Sequence, residues 1–245
     1  MMIKKIYNNA DWLGKELQET DRWFYSLHDQ EIAELENALR YTKKNFVGLG
    51  QMSKEHFPLP NFFHVLEGLK VELEDGLGIR LIRGFPSEKY TTDDLRIIFW
   101  GIGLHLGTAV SQSKRNDFLG DVRDLKSGLD GPTFRGYTSN GELTFHADAA
   151  DITGLFCLQP AKRGGLSRVI SSVAVHNLMH QQRPDLLKIL YQPYPWSMQG
   201  NELPGDPGFY FQPIFGLKKE HFACRYTRTH IKSAEMNSDI KGFKF

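Results

Sequence analysis

Two side chains with metal-binding chemistry lie two positions apart in residues 143–148, which read Leu-Thr-Phe-His-Ala-Asp. The alternation of apolar and polar residues predicts a half-buried strand. Side chains two apart on a strand share a face, so we expect His146 and Asp148 side by side, with Leu143 and Phe145 facing a core. An imidazole and a carboxylate form two thirds of the facial triad that holds non-haem Fe(II). A solvated polar strand, or a histidine hydrogen-bonded to a carboxylate, would show the same spacing.

A second pair of histidines offers a weaker alternative. His176 and His180 lie four apart on a predicted helix and so share a face, which suits zinc chelation. The glutamate that metalloproteases place beside the first histidine is missing, because Asn177 stands there. His105 lies on the apolar side of another predicted helix and is expected to be a hydrogen-bonded core histidine.

The composition excludes several classes of protein. The chain has 245 residues, 40% hydrophobic and 24% charged, which is ordinary globular composition. Its formal net charge of +1 gives no field that would attract nucleic acid or an anionic membrane. No apolar run is long enough to cross a bilayer, so a cytoplasmic location is expected. Cys157 and Cys224 are too few for a disulfide framework, and we expect two reduced core thiols.

The predicted secondary structure is helical in the first part of the chain and includes more strands and long loops in the later part. Four helices are predicted: over 29–46, from Thr91, over 173–182 and from Pro184. Thr91 and Asp94 have the spacing of a capping box, and Ser171 and Ser172 precede the third helix as candidate N-caps. Strands are predicted over 78–84, 143–148, 167–170 and 222–227, with an apolar run over 152–158. Residues 107–141 and 192–213 are expected to be loops. Helices first, then strands with long loops, favour a β-sandwich or jelly roll behind a helical layer.

Residues 143–151 resemble the metal-binding segment of the taurine dioxygenase (TauD/TfdA) family. The resemblance extends from about residue 58 to about residue 239. Its other matching segments are Trp100-Gly101-Ile102-Gly103, Leu106-Gly107, Arg135-Gly136-Tyr137, Leu158-Gln159-Pro160-Ala161 with Gly164-Gly165, Ser171-Ser172 with Val175-His176-Asn177, and Arg225-Tyr226 with Arg228.

The resemblance implies an Fe(II)- and 2-oxoglutarate-dependent oxygenase acting on a small molecule with O2. It implies a mainly β fold with flanking helices, the double-stranded β-helix or jelly roll. It also implies His146 and Asp148 as metal ligands, and Ser167 as the hydroxyl that binds a 2-oxoglutarate carboxylate. Arg135 and Tyr137, in the 107–141 loop, are candidate substrate contacts.

We expect one domain over 1–245, with a helical layer over 1–57 and an incomplete jelly-roll core over 58–245. In the family a second iron histidine comes late and is followed by an arginine that clamps 2-oxoglutarate. The histidines after Asp148 stand in other segments; they are His176, His180, His221 and His230. The interpretation is a jelly roll truncated before its last strands, with open edges that favour self-association. Two predictions for this chain follow: it is a weakly active oxygenase, or it is an inactive binding or interaction module.

Overall fold

The computed structural model describes residues 3–45, 47–111, 117–124, 138–198, 202, 205–219 and 221–235. The chain divides into two compact units. The helical unit comprises Tyr7–Gln112 and Ile152–Ala174, and the hairpin unit comprises Met1–Ile6, Ser113–Asp151 and Val175–Phe245. Helix α5 (Ser172–Gln182) contributes residues to both units.

The described part of the helical unit contains four complete helices, the start of α5 and a short parallel strand pair. The helices are α1 (Gly14–Gln18), α2 (Asp29–Lys44), α3 (Phe62–Glu74) and α4 (Thr92–Leu106), with 3-10 turns at Leu49–Gln51, Lys54–His56 and Ser87–Lys89. Strand β1 (Phe24–Ser26) pairs in parallel with β2 (Leu81–Arg83). The predicted helix over 29–46 and the strand within 78–84 are therefore confirmed, with shorter bounds.

The start of α4 confirms the predicted capping box. The Asp94 backbone N–H donates to Thr91 Oγ1 over 3.2 Å, and the Thr91 N–H donates to the Asp94 carboxylate over 3.3 Å. Lys43 on α2 adds an ion pair, its Nζ lying 2.7 Å from Asp94 Oδ1. One carboxylate thus caps α4 and ties it to α2.

A glycine allows α4 to approach an aromatic core residue. Phe57 is fully buried, and a Cβ added to Gly101 would lie 2.2 Å from Phe57 Cγ. The backbone carbonyl of Phe57 also accepts a hydrogen bond from His105 Nε2 over 2.8 Å. The expectation of a hydrogen-bonded histidine at position 105 is confirmed, and Gly101 allows close packing against Phe57.

The described part of the hairpin unit contains two antiparallel strand pairs, most of helix α5 and two helices of its own. Its helices are α6 (Pro184–Leu190), which begins at the predicted proline, and α7 (Arg228–Glu235). Strands β3 (Tyr194–Ser197) and β4 (Phe209–Gln212) pair with Trp196 opposite Tyr210, and β5 (Phe215–Lys218) pairs with β6 (His221–Cys224). Its core contains Leu187, Trp196, Ile214, Phe215 and Ile231.

The structure corrects three predicted segments. The predicted loop 192–213 is wrong in part, because β3 pairs with β4 there, and the opposed rings of Trp196 and Tyr210 stabilise the pair despite the prolines. The predicted strand 167–170 is irregular and exposed. In 143–148 only Ala147 forms a β-bridge, and Leu143 and Phe145 are 50% and 42% exposed, so their predicted core-facing role is also wrong. Residues 143–146 lack a pairing strand within the described ranges.

Two further expectations concern burial and closure. Cys157 is exposed and Cys224 is partly buried against the hairpin-unit core, so the prediction of a core thiol fails at Cys157. The described strands form three separate two-stranded sheets, and none of them closes. The jelly roll therefore stays a prediction.

Within the described residues, no helix is both long and apolar enough to cross a bilayer.

Candidate metal centre

His146 and Asp148 lie side by side in the hairpin unit, as the sequence predicts. His146 Nε2 is 3.8 Å from Asp148 Oδ1, and the side chains are 37% and 50% exposed. Two ligands about 2.1 Å from one metal ion, at right angles, stand roughly 3 Å apart. A small rotation of either side chain would therefore bring both onto one ion.

The other nitrogen of His146 is already engaged. Nδ1 lies 2.7 Å from the backbone carbonyl of Thr144, which can only accept, so Nδ1 carries the hydrogen. The Nε2 lone pair then points away from the backbone and is available to a metal. Metal-binding histidines commonly donate their second ring N–H in this way, which fixes ring orientation and raises basicity. The donor set fits a divalent metal ion with nitrogen and oxygen preference.

Ala147, between His146 and Asp148, ties this segment to the C-terminal part of the hairpin unit. The Ala147 N–H donates to the Tyr226 carbonyl over 2.7 Å, within an antiparallel bridge. Thr227 Oγ1 donates to the Ala147 carbonyl over 3.4 Å. The backbone at position 147 is thus held on both sides, although a longer strand does not form.

Among the described residues, no third candidate ligand joins His146 and Asp148. Within the ranges that the structure describes, no three His, Cys, Asp or Glu side chains come together as a metal site. The pair alone leaves the remaining coordination positions of an ion to other donors. A pair of protein ligands binds a divalent ion more weakly than a closed triad, because each missing ligand is replaced by water.

The other predicted site residues lie elsewhere. Ser167 is exposed in the helical unit, two residues after Gly165, and the φ angles of Gly164 and Gly165 are 69° and 68°. Only glycine adopts such positive φ values readily. Arg135 and Tyr137 lie outside the described residues.

The histidines of the zinc alternative are both engaged by the protein. His176 is fully buried; its Nε2 accepts from the Tyr191 hydroxyl over 3.0 Å and its Nδ1 lies 3.1 Å from Asn177 Oδ1. His180 Nε2 donates to the Ile3 carbonyl over 3.1 Å. Asn177 itself holds the N-terminal segment, because its amide exchanges two hydrogen bonds with the backbone of Ile6. The zinc prediction therefore finds no support.

Sequence reasoning missed one polar cluster in the hairpin unit. The Arg225 guanidinium lies 5.3 Å from the ring centre of Trp196 and 5.4 Å from that of Tyr210, and its Nη1 donates to Gln212 Oε1 over 3.1 Å. Arg225 belongs to a segment that resembles the family. Its neighbours Trp196, Tyr210 and Gln212 were not predicted, because residues 192–213 were expected to form a loop.

Comparison with known proteins gives the chain its family. Residues 44–241 match the family described as "Taurine catabolism dioxygenase TauD, TfdA family". The chain is 32% identical over 227 residues to FR-33289 synthase of Streptomyces rubellomurinus, covering 92% of this chain and 67% of the synthase.

A second relative is the taurine hydroxylase-like protein SAT17 of Stachybotrys chartarum, 25% identical over 231 residues. This match covers 91% of this chain but only 58% of the relative. The family match spans most of the chain and includes the His146–Asp148 pair. The chain belongs to the TauD/TfdA family of dioxygenases.

Proposed function

We propose that this chain carries the metal-binding part of an Fe(II)- and 2-oxoglutarate-dependent oxygenase that oxidises a small molecule with O2. The observation that carries the proposal is the pairing of a free imidazole Nε2 with a carboxylate oxygen 3.8 Å away. Family membership supports an oxygenase, and the donor set supports Fe(II). The jelly roll is proposed on the same ground.

Each proposed ligand has a distinct task. His146 supplies Nε2 to the metal while Thr144 holds its ring, and Asp148 supplies a negative oxygen that offsets part of the ion's charge. Ser167 would donate a hydrogen bond to a 2-oxoglutarate carboxylate, and Arg135 and Tyr137 would contact the substrate. When bound, the iron and 2-oxoglutarate supply the oxidising chemistry, and the protein orients the reactants and excludes water.

The metal proposal is tested by titrating the purified chain with Mn(II), followed by electron paramagnetic resonance. His146→Ala and Asp148→Ala should each weaken Mn(II) binding roughly tenfold or more, since outer partners alone contribute tenfold to a hundredfold. The matched controls are His221→Ala and Asp151→Ala, which remove an exposed imidazole and an exposed carboxylate from the same unit. Unchanged affinity in the first two variants would reject the metal site.

Activity is tested by succinate formation from 2-oxoglutarate with Fe(II) and O2. Succinate release that His146→Ala abolishes supports the oxygenase. Metal binding without any succinate release would instead support the alternative of a binding or interaction module.

A further inference from the structure

Residues 3–6, the N-terminal strap, lie along helix α5 within the hairpin unit. The Ile6 backbone N–H donates to Asn177 Oδ1 over 2.9 Å, and the Asn177 amide donates back to the Ile6 carbonyl over 2.8 Å. His180, three residues further along α5, donates from Nε2 to the Ile3 carbonyl over 3.1 Å. Ile3 also packs against the core of the unit. Side chains of α5 therefore hold the strap largely by its backbone.

The docked strap fixes the hydrogen positions of a buried histidine. Because the Ile6 N–H needs an acceptor, the Asn177 atom that faces it is the amide oxygen. The same oxygen lies 3.1 Å from His176 Nδ1, so Nδ1 carries the hydrogen of the neutral ring. Nε2 is then an acceptor and receives the Tyr191 hydroxyl over 3.0 Å. A continuous chain of hydrogen bonds thus runs from the strap through α5 to Tyr191.

His176 is fully buried among aromatic rings. Tyr191 after α6, Phe215 on β5 and Phe222 on β6 meet it edge to face, with ring centres 5.9, 5.5 and 5.3 Å away. None of the ion pairs formed by the described residues includes His176. A proton on this ring would therefore be a buried charge without a carboxylate partner, which is costly.

The titratable groups around His176 make its protonation still less favourable. Burial is the main cause that lowers the pKa of His176, and the nearby His180 lowers it further, although the hydrogen bond to Asn177 raises it. Lys4 and Lys5 of the strap are exposed cations. The other titratable side chains packed on the same core are tyrosines and one thiol, namely Tyr191, Tyr194, Tyr210, Tyr226 and Cys224.

Release of the strap would remove the cost of protonating His176. Without Ile6, the Asn177 amide loses two hydrogen bonds and turns to water, and water then reaches the Nδ1 edge of the imidazole. A hydrated ring takes up a proton near its ordinary pKa of about 6.5. Protons favour the state that binds them more tightly, so acid shifts the equilibrium toward the released strap.

We propose that residues 3–6 form a proton-released strap: protonation of His176 detaches them from α5 while the rest of the hairpin unit stays folded. Detachment breaks only the bonds made by Asn177 and His180 and the packing of Ile3, so it needs less free energy than unfolding of the unit. The device does not depend on the proposed metal site.

The test is amide hydrogen exchange of the full chain, labelled with 15N-isoleucine, between pH 8 and pH 5 and corrected for the intrinsic effect of pH on exchange. The Ile6 N–H reports strap release, and Ile6→Val assigns its signal by removing it. The Ile214 N–H reports unfolding, because it is buried in the core of the same unit and donates to the Leu190 carbonyl over 3.0 Å. Ile6 should open more readily than Ile214, and its opening constant should rise up to about tenfold for each pH unit below about 6.5.

Two variants identify the group that takes up the proton. His176→Gln should make the opening of Ile6 independent of pH, whereas His221→Gln, which removes an exposed histidine from the same unit, should leave it as in wild type. The proposal is overturned by any of three results: a pH-independent opening of Ile6 in wild type, an undiminished pH dependence in His176→Gln, or equal opening constants for Ile6 and Ile214.

A second measurement follows the ring itself and keeps His176 in place. The His176 signals of 15N-histidine-labelled protein are titrated in wild type, Ile6→Pro and Ile6→Val. Ile6→Pro removes the N–H that donates to Asn177, so His176 should titrate at a higher pH than in wild type, closer to 6.5. Ile6→Val keeps the N–H and should titrate as wild type does. The same titration in Ile6→Pro and Ile6→Val would show that the strap does not control the ring.

Discussion

The backbone N–H of Ala147 is bonded to the carbonyl of Tyr226 over 2.7 Å. This bond joins the segment that carries His146 and Asp148 to the residue that follows Arg225. Since Ala147 contributes no side-chain chemistry, its effect on the metal pair is exerted through backbone position alone.

Ala147→Pro should therefore weaken Mn(II) binding although both ligands remain. Proline removes the N–H that bonds to Tyr226 and restricts the preceding residue, His146. We expect a loss of about tenfold, as for other changes outside the ligand set. Ala147→Val retains the N–H and is the control. Equal Mn(II) affinity in the two variants would show that the bridge does not position the ligands.

Gly101→Ala should destabilise the protein by about 1–3 kcal/mol, because the new methyl group would overlap the buried ring of Phe57. Gly103 lies in the same helix, and a Cβ added there would meet nothing within 4 Å, so Gly103→Ala should stabilise by up to about 1 kcal/mol through helix propensity. Urea denaturation measures both. A stabilising Gly101→Ala would contradict the packing of α4 on Phe57.

Asp94→Asn should lower stability at neutral pH by about 1–2 kcal/mol, since Asp94 both caps α4 and pairs with Lys43. The Lys43 hydrogen bond, followed by those from Thr91, lowers the pKa of Asp94 below its ordinary value of 3.8. The stabilising contribution is therefore present above about pH 4 and is lost as the pH falls through the depressed pKa.

The measurement is urea unfolding at neutral and acid pH, with Asp93→Asn as control because Asp93 is exposed in the same first turn. The difference in unfolding free energy between wild type and Asp94→Asn should narrow in acid, while Asp93→Asn should have the same pH dependence as wild type. A gap that stays constant down to acid pH would assign the effect to something other than the carboxylate charge.

His176 should make the protein less stable in mild acid. Burial lowers the pKa of His176, so the folded protein keeps the ring neutral while the unfolded chain takes up a proton near pH 6.5. Stability is thus highest above about pH 6.5 and falls below it, with a slope of at most about 1.4 kcal/mol per pH unit for one proton.

Unfolding free energies measured between pH 8 and pH 5 test whether stability falls as the pH is lowered. His176→Gln should flatten the dependence of the unfolding free energy on pH, and His221→Gln is the control because it removes an exposed histidine from the same unit. Parallel pH profiles for wild type and His176→Gln would reject the role of this histidine.

Local patterns predicted the starts of α2, α4, α5 and α6, whereas α1, α3 and α7 were not predicted. The capping box at Thr91 and Asp94, the cap at Ser171, whose Oγ accepts from the Ala174 N–H over 3.0 Å, and the start of α6 at Pro184 all form as expected. These features depend on hydrogen bonds within a few residues, which is why sequence suffices for them. The strands at 143–148 and 167–170 failed because a strand needs partners distant in sequence.

The sequence by itself determined which residues can bind a metal, since imidazole and carboxylate at a spacing of two lie together wherever the backbone is extended. Only the tertiary structure decided that Tyr226 holds Ala147 and that the guanidinium of Arg225 lies beside Trp196 and Tyr210. The physical reason is that chemical identity is local, whereas burial and pairing depend on which distant segments meet.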